Sequence, residues 1–176
     1  MKNTNKLVIC AALIAIAFLA SKIKLLEFLF PLGGSITLFS MIIITLPAYF
    51  FGLKYGIISC ICYSFLKFIF AGNIYNPLQA LIDYGFSYIC FAIAGFNIIR
   101  YNKYGLSIGY ILGCILRCIF ASLSGYIFFR EYTPAAWNPI IYVFVYNAMY
   151  IFTEMIISLI VINLPFIHKQ LKKWVV

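Results

Sequence analysis

Residues 138–164 read NPIIYVFVYNAMYIFTEMIISLIVINL and form one long apolar run. An α-helix needs about 20 such residues to cross the hydrocarbon core of a bilayer. The run is continuous and does not alternate between apolar and polar residues, which excludes a strand of a membrane barrel. We therefore expect a transmembrane helix here, and we ask how much of the remaining chain has the same character.

The composition extends this expectation to the whole chain. Of the 176 residues, 65% are hydrophobic and 10% are charged, with a mean hydropathy of +1.05. No soluble domain has this composition. The net charge of +9 does not indicate a nucleic-acid partner, because the basic residues lie at the ends of apolar segments. The sequence predicts a single integral domain over residues 1–176, multi-pass in a bacterial plasma membrane, with the lipid bilayer as its surroundings.

Glycine, proline and asparagine separate the apolar segments from one another. Each segment is near or above the ~17 residues at which a helix can span a bilayer. The predicted fold class is an all-α membrane protein, a six-transmembrane-helix bundle. Its approximate helices are 5–21, 35–53, 55–71, 78–99, 105–129 and 138–164.

Lysine and arginine are distributed unequally between the two sides of this predicted bundle. With six spans, both termini share one side, which then carries eight basic residues against three on the other side. The positive-inside rule therefore predicts that both termini are cytoplasmic. The eight are Lys2, Lys6, Lys54, Arg100, Lys103, Lys169, Lys172 and Lys173, and the three are Lys22, Lys24 and Arg130.

Polar side chains inside the last three spans lie mostly in their predicted outer halves. A charge at membrane depth costs roughly 3 kcal/mol, so such residues usually face a wet cavity or the bundle interior. Asp83, Tyr142 and Asn147 lie about 5–12 Å below the outer surface, at 1.5 Å per helical residue. On the fifth span, one stripe at four-residue spacing consists of Arg117, Ala121, Gly125 and Phe129. We expect a polar pocket that opens to the outside.

A carboxylate among aromatic rings suits a cationic or heteroaromatic organic solute. The residues leave alternatives open: Asp83 and Arg117 could form a structural ion pair, and Asn147 could bond a neighbouring helix. The whole protein could instead be a structural membrane protein or an intramembrane enzyme. Catalysis is disfavoured, because the one histidine lies near the end of the chain. No catalytic residue, metal site or cofactor is predicted.

The first span carries a separate signal. Ala11 and Ala15 place two small side chains on one helical face, within a segment rich in alanine. Small residues at this spacing let helices approach closely in lipid. We expect this face to dock on another membrane protein, although small residues also pack within a bundle.

Four stretches resemble the substrate-binding (S) components of energy-coupling factor vitamin transporters, most closely the thiamine-specific members. They are GGSITL (33–38), NPLQALIDY (76–84), SGYIFF (124–129) and NPIIYVFVYNAMY (138–150), and the AALIA run (11–15) is similar to that family's partner-docking motif. The resemblance implies a six-helix bundle with a lid over the ligand, here the loop 22–34. It also implies a shared transmembrane subunit and two cytoplasmic ATPase subunits as partners.

Transferred by position, the resemblance implies a set of ligand-binding residues. They are Asp83, Tyr84, Arg117, Gly125, Phe129, Tyr142 and Asn147. Ala121 stands where the family has a histidine, and Phe129 where it has a tryptophan. The implied function is the capture of thiamine without chemical change. The alternative ligand is a related pyrimidine or thiazole precursor, or another vitamin.

Overall fold

The computed structural model describes residues 2–25, 34–70 and 76–175. The greater part of the predicted lid, residues 26–33, therefore lies outside the described chain. The first half contains three helices and two strands. They are α1 (Asn3–Ala20), β1 (Lys24–Leu25), β2 (Ile36–Thr37), α2 (Ser40–Phe51) and α3 (Leu53–Ile69).

The second half begins with an unbroken helical run, Pro77–Gly95, which changes its hydrogen-bonding pattern along its length. We call it the composite helix. Its parts are α4 (Pro77–Ala80), a π-helix (Leu81–Phe86), α5 (Ser87–Ile89) and a 3-10 helix (Cys90–Gly95). The elements that follow are α6 (Asn97–Arg100), α7 (Gly105–Phe129) with a 3-10 turn (Arg130–Tyr132), α8 (Pro139–Ile162) and α9 (Pro165–Lys172).

The structure is mostly helical, as the sequence predicts. Within the described ranges, four helices are long and apolar enough to cross a membrane. They are Asn3–Ala20, Pro77–Gly95, Gly105–Tyr132 and Pro139–Ile162. α2 is also apolar but shorter, with 12 residues.

Two of these helices begin with the same Asn-Pro pair. The Asn76 side chain accepts a hydrogen bond from the Leu78 amide at 2.9 Å, and Asn138 accepts one from Ile140 at 3.0 Å. Proline occupies the first helical position, where its missing N–H costs nothing and its fixed φ favours the helix. The Asn-Pro pairs therefore fix the starts of the composite helix and α8, next to the site described below.

The expectation of an all-α protein needs one correction. β1 and β2 pair in antiparallel fashion, with Lys24 opposite Thr37 and Leu25 opposite Ile36. The second helix accordingly begins at Ser40 and not near residue 35. The preceding residue, Phe39, has a positive φ of 61°, which lies outside the helical region and ends the hairpin before α2 starts.

The predicted fourth helix also ends earlier than residue 99. The backbone is extended at Phe96, and the chain then forms the short α6. Arg100, counted above among the charges at the cytoplasmic surface, is 5% exposed. It lies against the last turn of α2, where its Nε and Nη2 donate to the carbonyls of Tyr49 and Phe50.

Close packing at this end of the bundle depends on glycine. A Cβ atom at Gly95 would lie 2.5 Å from the Leu53 amide nitrogen, at the one-residue connection between α2 and α3. A Cβ at Gly109 of α7 would lie 2.6 Å from the Ala94 Cβ. These small residues let α3, the composite helix and α7 approach one another, as is common for helices in lipid.

Gly95→Ala is expected to destabilise the protein by about 1–3 kcal/mol, because the new methyl group overlaps backbone that cannot rotate away. The measurement is the midpoint of thermal unfolding in detergent. Gly85→Ala in the same composite helix is the matched control, since its Cβ meets only the flexible Leu81 side chain, at 3.3 Å. Equal midpoints for the two variants would contradict the packing argument.

Candidate ligand-binding cavity

A cavity of about 750 Å³ lies among the hairpin, the composite helix, α7 and α8. Its size falls in the range of pockets that hold small organic ligands. We call it the central cavity. All seven ligand-binding residues proposed from the sequence line it: Asp83, Tyr84, Arg117, Gly125, Phe129, Tyr142 and Asn147.

Helical periodicity explains why these residues meet. On α7, Arg117, Ala121, Gly125 and Phe129 all reach the cavity, as the four-residue stripe predicts. The facing stripe on α8 is equally long and consists of Tyr142, Tyr146, Tyr150 and Glu154. Residues four apart lie on one face of a helix, so the α8 stripe extends about 18 Å along the wall.

The α8 tyrosines form a ladder of rings. The centroids of Tyr142 and Tyr146 are 6.2 Å apart, and those of Tyr146 and Tyr150 are 6.1 Å apart. Tyr146 also accepts a hydrogen bond from the Gly34 amide at 3.2 Å. Tyr146 was expected from the sequence as an aromatic residue of the pocket, whereas Tyr150 was not, although the four-residue spacing that identified the α7 stripe would have found it.

Asp83 and Tyr84 lie in the π-helical part of the composite helix. A π turn widens a helix locally, and such turns are frequent at functional sites. The Asp83 carboxylate accepts a hydrogen bond from Gln79 Nε2 at 3.2 Å. Gln79 is itself buried and lines the cavity, so the carboxylate is oriented by a neutral donor from its own helix.

Arg117 brings a buried positive charge to the same space. Its guanidinium carbon lies 4.2 Å from the centre of the Tyr88 ring, in a cation–π arrangement. Its Nε and Nη1 atoms have no hydrogen-bond partner within the described chain. Arg117 and Asp83 are not hydrogen-bonded to each other, so the structure does not contain the direct pair considered above.

Asn147 is buried, and its side chain forms hydrogen bonds mainly with neighbouring groups of the protein. Its amide nitrogen donates to the carbonyls of Val143 at 2.9 Å and Ala121 at 3.5 Å. Its oxygen accepts from the Tyr150 hydroxyl at 2.6 Å. Asn147 therefore joins α7 to α8 and sets the position of Tyr150, so its remaining capacity toward a ligand is the free lone pair of its oxygen.

Gly125 has a packing role in addition to its place on the cavity wall. A Cβ atom there would lie 2.5 Å from Val143 Cγ1. The absence of a side chain is thus required for α7 and α8 to approach. The sequence argument named this glycine only as a residue of the ligand site.

Glu154 has a role that sequence reasoning did not assign. It is 3% exposed and lies at the far end of the α8 stripe. One carboxylate oxygen accepts from the Thr37 amide at 2.8 Å and the Thr37 hydroxyl at 2.7 Å, and the other accepts from the Met41 amide at 3.2 Å. A single buried carboxylate thus holds β2 and the start of α2 against α8.

Glu154→Gln is expected to destabilise the protein by about 1–3 kcal/mol, because an amide group cannot accept all three hydrogen bonds. The expected readout is a lower thermal midpoint in detergent. Thr153→Val is a control on the outward face of the same helix, where the Thr153 hydroxyl bonds only the Met149 carbonyl. An unchanged midpoint for Glu154→Gln would show that the carboxylate does not hold the hairpin.

Charge in the cavity is mixed. The acidic residues on its described wall are Asp83 and Glu154, while Lys22, Lys24, Lys67 and Arg117 are basic. Lys67 Nζ donates to the Ser21 hydroxyl at 3.4 Å, next to the end of α1. With Glu154 occupied by backbone and threonine donors, Asp83 is the described carboxylate best placed to meet a cationic ligand.

Two further expectations concern other parts of the chain. Ala11 and Ala15 are both exposed on α1, so their face is not used for packing within the described chain.

Within the described ranges, no group of three or more His, Cys, Asp or Glu residues could hold a metal ion.

Comparisons with known proteins identify a matching family and a similar fold. A family model described as thiamine transporter protein (Thia_YuaJ) matches residues 7–174. The thiamine transporter ThiT of Bacillus subtilis (strain 168) is 27% identical over 178 aligned positions, covering 94% of this chain and 92% of that protein. A solved structure of ThiT from Listeria monocytogenes has a TM-score of 0.73 at 21% identity, covering 92% of this chain and 93% of that one. This structural likeness shows a shared fold.

Proposed function

The chain belongs to the thiamine transporter protein family, and we propose that it is the substrate-capture subunit of an energy-coupling factor importer that binds thiamine in the central cavity. It is thus a multi-pass membrane protein of a transporter family. The observation that carries the proposal is the convergence of Asp83 with Tyr84, Phe129 and the α8 tyrosines on one cavity of about 750 Å³.

The chemistry of thiamine matches the wall of the cavity. Thiamine combines an aminopyrimidine ring with a positively charged thiazolium ring that bears a hydroxyethyl group. Asp83 would accept from the amino group or balance the positive charge. Tyr84, Tyr142 and Phe129 offer faces for stacking and for cation–π attraction to the thiazolium.

Arg117 and Asn147 would act at the polar ends of the ligand. The unsatisfied donors of Arg117 suit the hydroxyl oxygen of thiamine or a bridging water, because a buried donor without a partner is costly. Asn147 would act largely through Tyr150, whose hydroxyl it holds. Gly125 would contribute by keeping α7 close to α8, so that the stripes face each other at a distance that one ligand can bridge.

The paired strands β1 and β2 would form the base of a lid over this site. Lys22, Lys24, Gly34 and Ser35, at the two ends of the predicted lid, line the central cavity. A Cβ at Gly34 would lie 2.8 Å from the Tyr150 ring, so glycine permits close contact between this segment and the tyrosine ladder.

In the membrane, we place six spans with both termini in the cytoplasm, so that the cavity opens outward. The support is the unequal distribution of basic residues in the sequence. The exposed Ala11 and Ala15 would dock on a shared transmembrane subunit, which two cytoplasmic ATPases would energise. The support for this is the exposure of both alanines together with their spacing.

The test is calorimetric titration of purified, ligand-free protein with thiamine, the free aminopyrimidine and the free thiazole alcohol. We expect one thiamine per chain and at least tenfold weaker binding of either half, because each half leaves part of the wall unused. Tighter binding of one half would identify a precursor as the ligand. No heat with any of the three would contradict capture of this class of molecule.

A further inference from the structure

A second candidate site lies at the end of the bundle remote from Phe129, where α9 meets the turn before α7. A groove there is lined by Lys103, His168, Lys169, Lys172 and Lys173. We propose that this groove, which we call the basic groove, binds the headgroup of an anionic phospholipid. The inference is independent of what the central cavity binds.

Charge supports the assignment. No acidic side chain within the described ranges lines the basic groove. The described acidic residues lie elsewhere: Asp83 and Glu154 in the central cavity, and Glu131 beyond the far end of α7. Four lysines with no described acidic side chain among them suit a phosphate group, and basic pockets at helix ends bind lipid headgroups.

The surroundings of the groove favour a lipid over a phosphate ester in solution. Phe166 is 76% exposed and Leu164 is 49% exposed, both beside the lysines on the same segment. Tyr101 and Tyr104, next to Lys103, are also exposed. A basic face bordered by exposed apolar and aromatic side chains is typical of a helix that lies in the membrane interface. Acyl chains would cover the apolar border while the headgroup meets the lysines.

The groove has fixed walls. Ser107 of α7 donates to the Asn163 side chain at 3.1 Å, which ties the start of α7 to the end of α8. The Tyr104 and His168 rings have centroids 6.4 Å apart. Leu171 packs against the buried core, and the Trp174 ring lies 6.2 Å from Phe50. α9 is therefore anchored on its apolar side, and its lysines lie along the wall of the groove.

Trp174 can report the lipid that occupies the groove. It directly follows Lys173, and Trp137 is the other tryptophan of the chain, so Trp137→Phe leaves one reporter. The purified protein is placed in phosphatidylcholine vesicles that contain brominated phosphatidylglycerol or brominated phosphatidylcholine. Quenching of Trp174 by the two lipids gives their relative association constants.

Two double variants that remove the same amount of charge distinguish binding in the basic groove from a general effect of surface charge. Lys169→Gln/Lys172→Gln removes groove lysines, and Lys2→Gln/Lys54→Gln removes two other exposed lysines. We expect phosphatidylglycerol to be favoured about tenfold in the parent and the control, and the preference to be lost in the groove variant. The thermal midpoint of the groove variant should match that of the control.

Three results would overturn the proposal. The first is equal quenching by both lipids in the parent, and the second is an equal loss of preference in both double variants. The third is removal of the preference by millimolar glycerol phosphate, which would assign the groove to soluble phosphate esters. An unchanged preference in the presence of glycerol phosphate supports the lipid site.

Discussion

Asp83→Asn should weaken thiamine binding by about 10- to 100-fold. A charged hydrogen bond contributes about 1.5–3 kcal/mol, and each 1.4 kcal/mol is a factor of ten in the dissociation constant. The substitution keeps the size of the side chain and an acceptor for Gln79, so it removes mainly the negative charge. Calorimetric titration of the purified variant with thiamine measures the effect.

Glu131→Gln is the matched control for this change. It removes the same charge from an exposed residue that does not line the central cavity, and we expect wild-type affinity. If Asp83→Asn also retained wild-type affinity while keeping its thermal midpoint, Asp83 would be a structural residue. The central role given to its carboxylate would then be wrong.

The largest loss of stability should come from Arg100→Met. Arg100 Nε donates to the Tyr49 carbonyl at 3.0 Å, and Nη2 donates to the Phe50 carbonyl at 2.8 Å. These carbonyls belong to the last turn of α2, which has no intrahelical donor for them, and a cation there also interacts favourably with the negative end of the helix dipole. Methionine keeps apolar volume but leaves the carbonyls unsatisfied, which costs about 2–5 kcal/mol in total.

The measurement is the thermal midpoint in detergent, which we expect to fall by roughly 5 °C or more. Arg130→Met removes the same charge from an exposed position after α7 and should change the midpoint little. Arg100→Lys should lie between the two, because one ammonium group cannot reproduce the fork of donors. Coinciding midpoints for Arg100→Met and Arg130→Met would refute the capping role.

The helices, and the side chains that line the cavity, could be predicted from patterns in the amino-acid sequence. Continuous apolar runs predict helices, and four-residue spacing places Arg117 and Phe129 on one face of α7. The resemblance to the thiamine-specific S components, stated from four short stretches, is confirmed by the family match over residues 7–174. These signals are local, so no knowledge of packing was needed.

Other features depend on distant partners and were not predictable. The sequence alone indicates that Arg100 is a surface charge, because it does not show that α2 ends beside this residue. The sequence alone indicates that Glu154 is an isolated charge, because its hydrogen-bond partner Thr37 is 117 residues away in sequence. The π turn at Asp83 has no marker in the residue types of Leu81–Phe86. Strands of two residues, such as β1 and β2, are too short for alternation to reveal them.

The three hydrogen bonds accepted by Glu154 also set an order for assembly of the chain during synthesis. Thr37 and Met41 leave the ribosome long before α8. Their amides can form these hydrogen bonds only after Glu154, more than a hundred residues later, has been synthesised. Contacts so distant in sequence form late. The hairpin beside the central cavity therefore reaches its final position only after the last long helix has inserted, and a nascent chain that ends before α8 cannot complete the cavity.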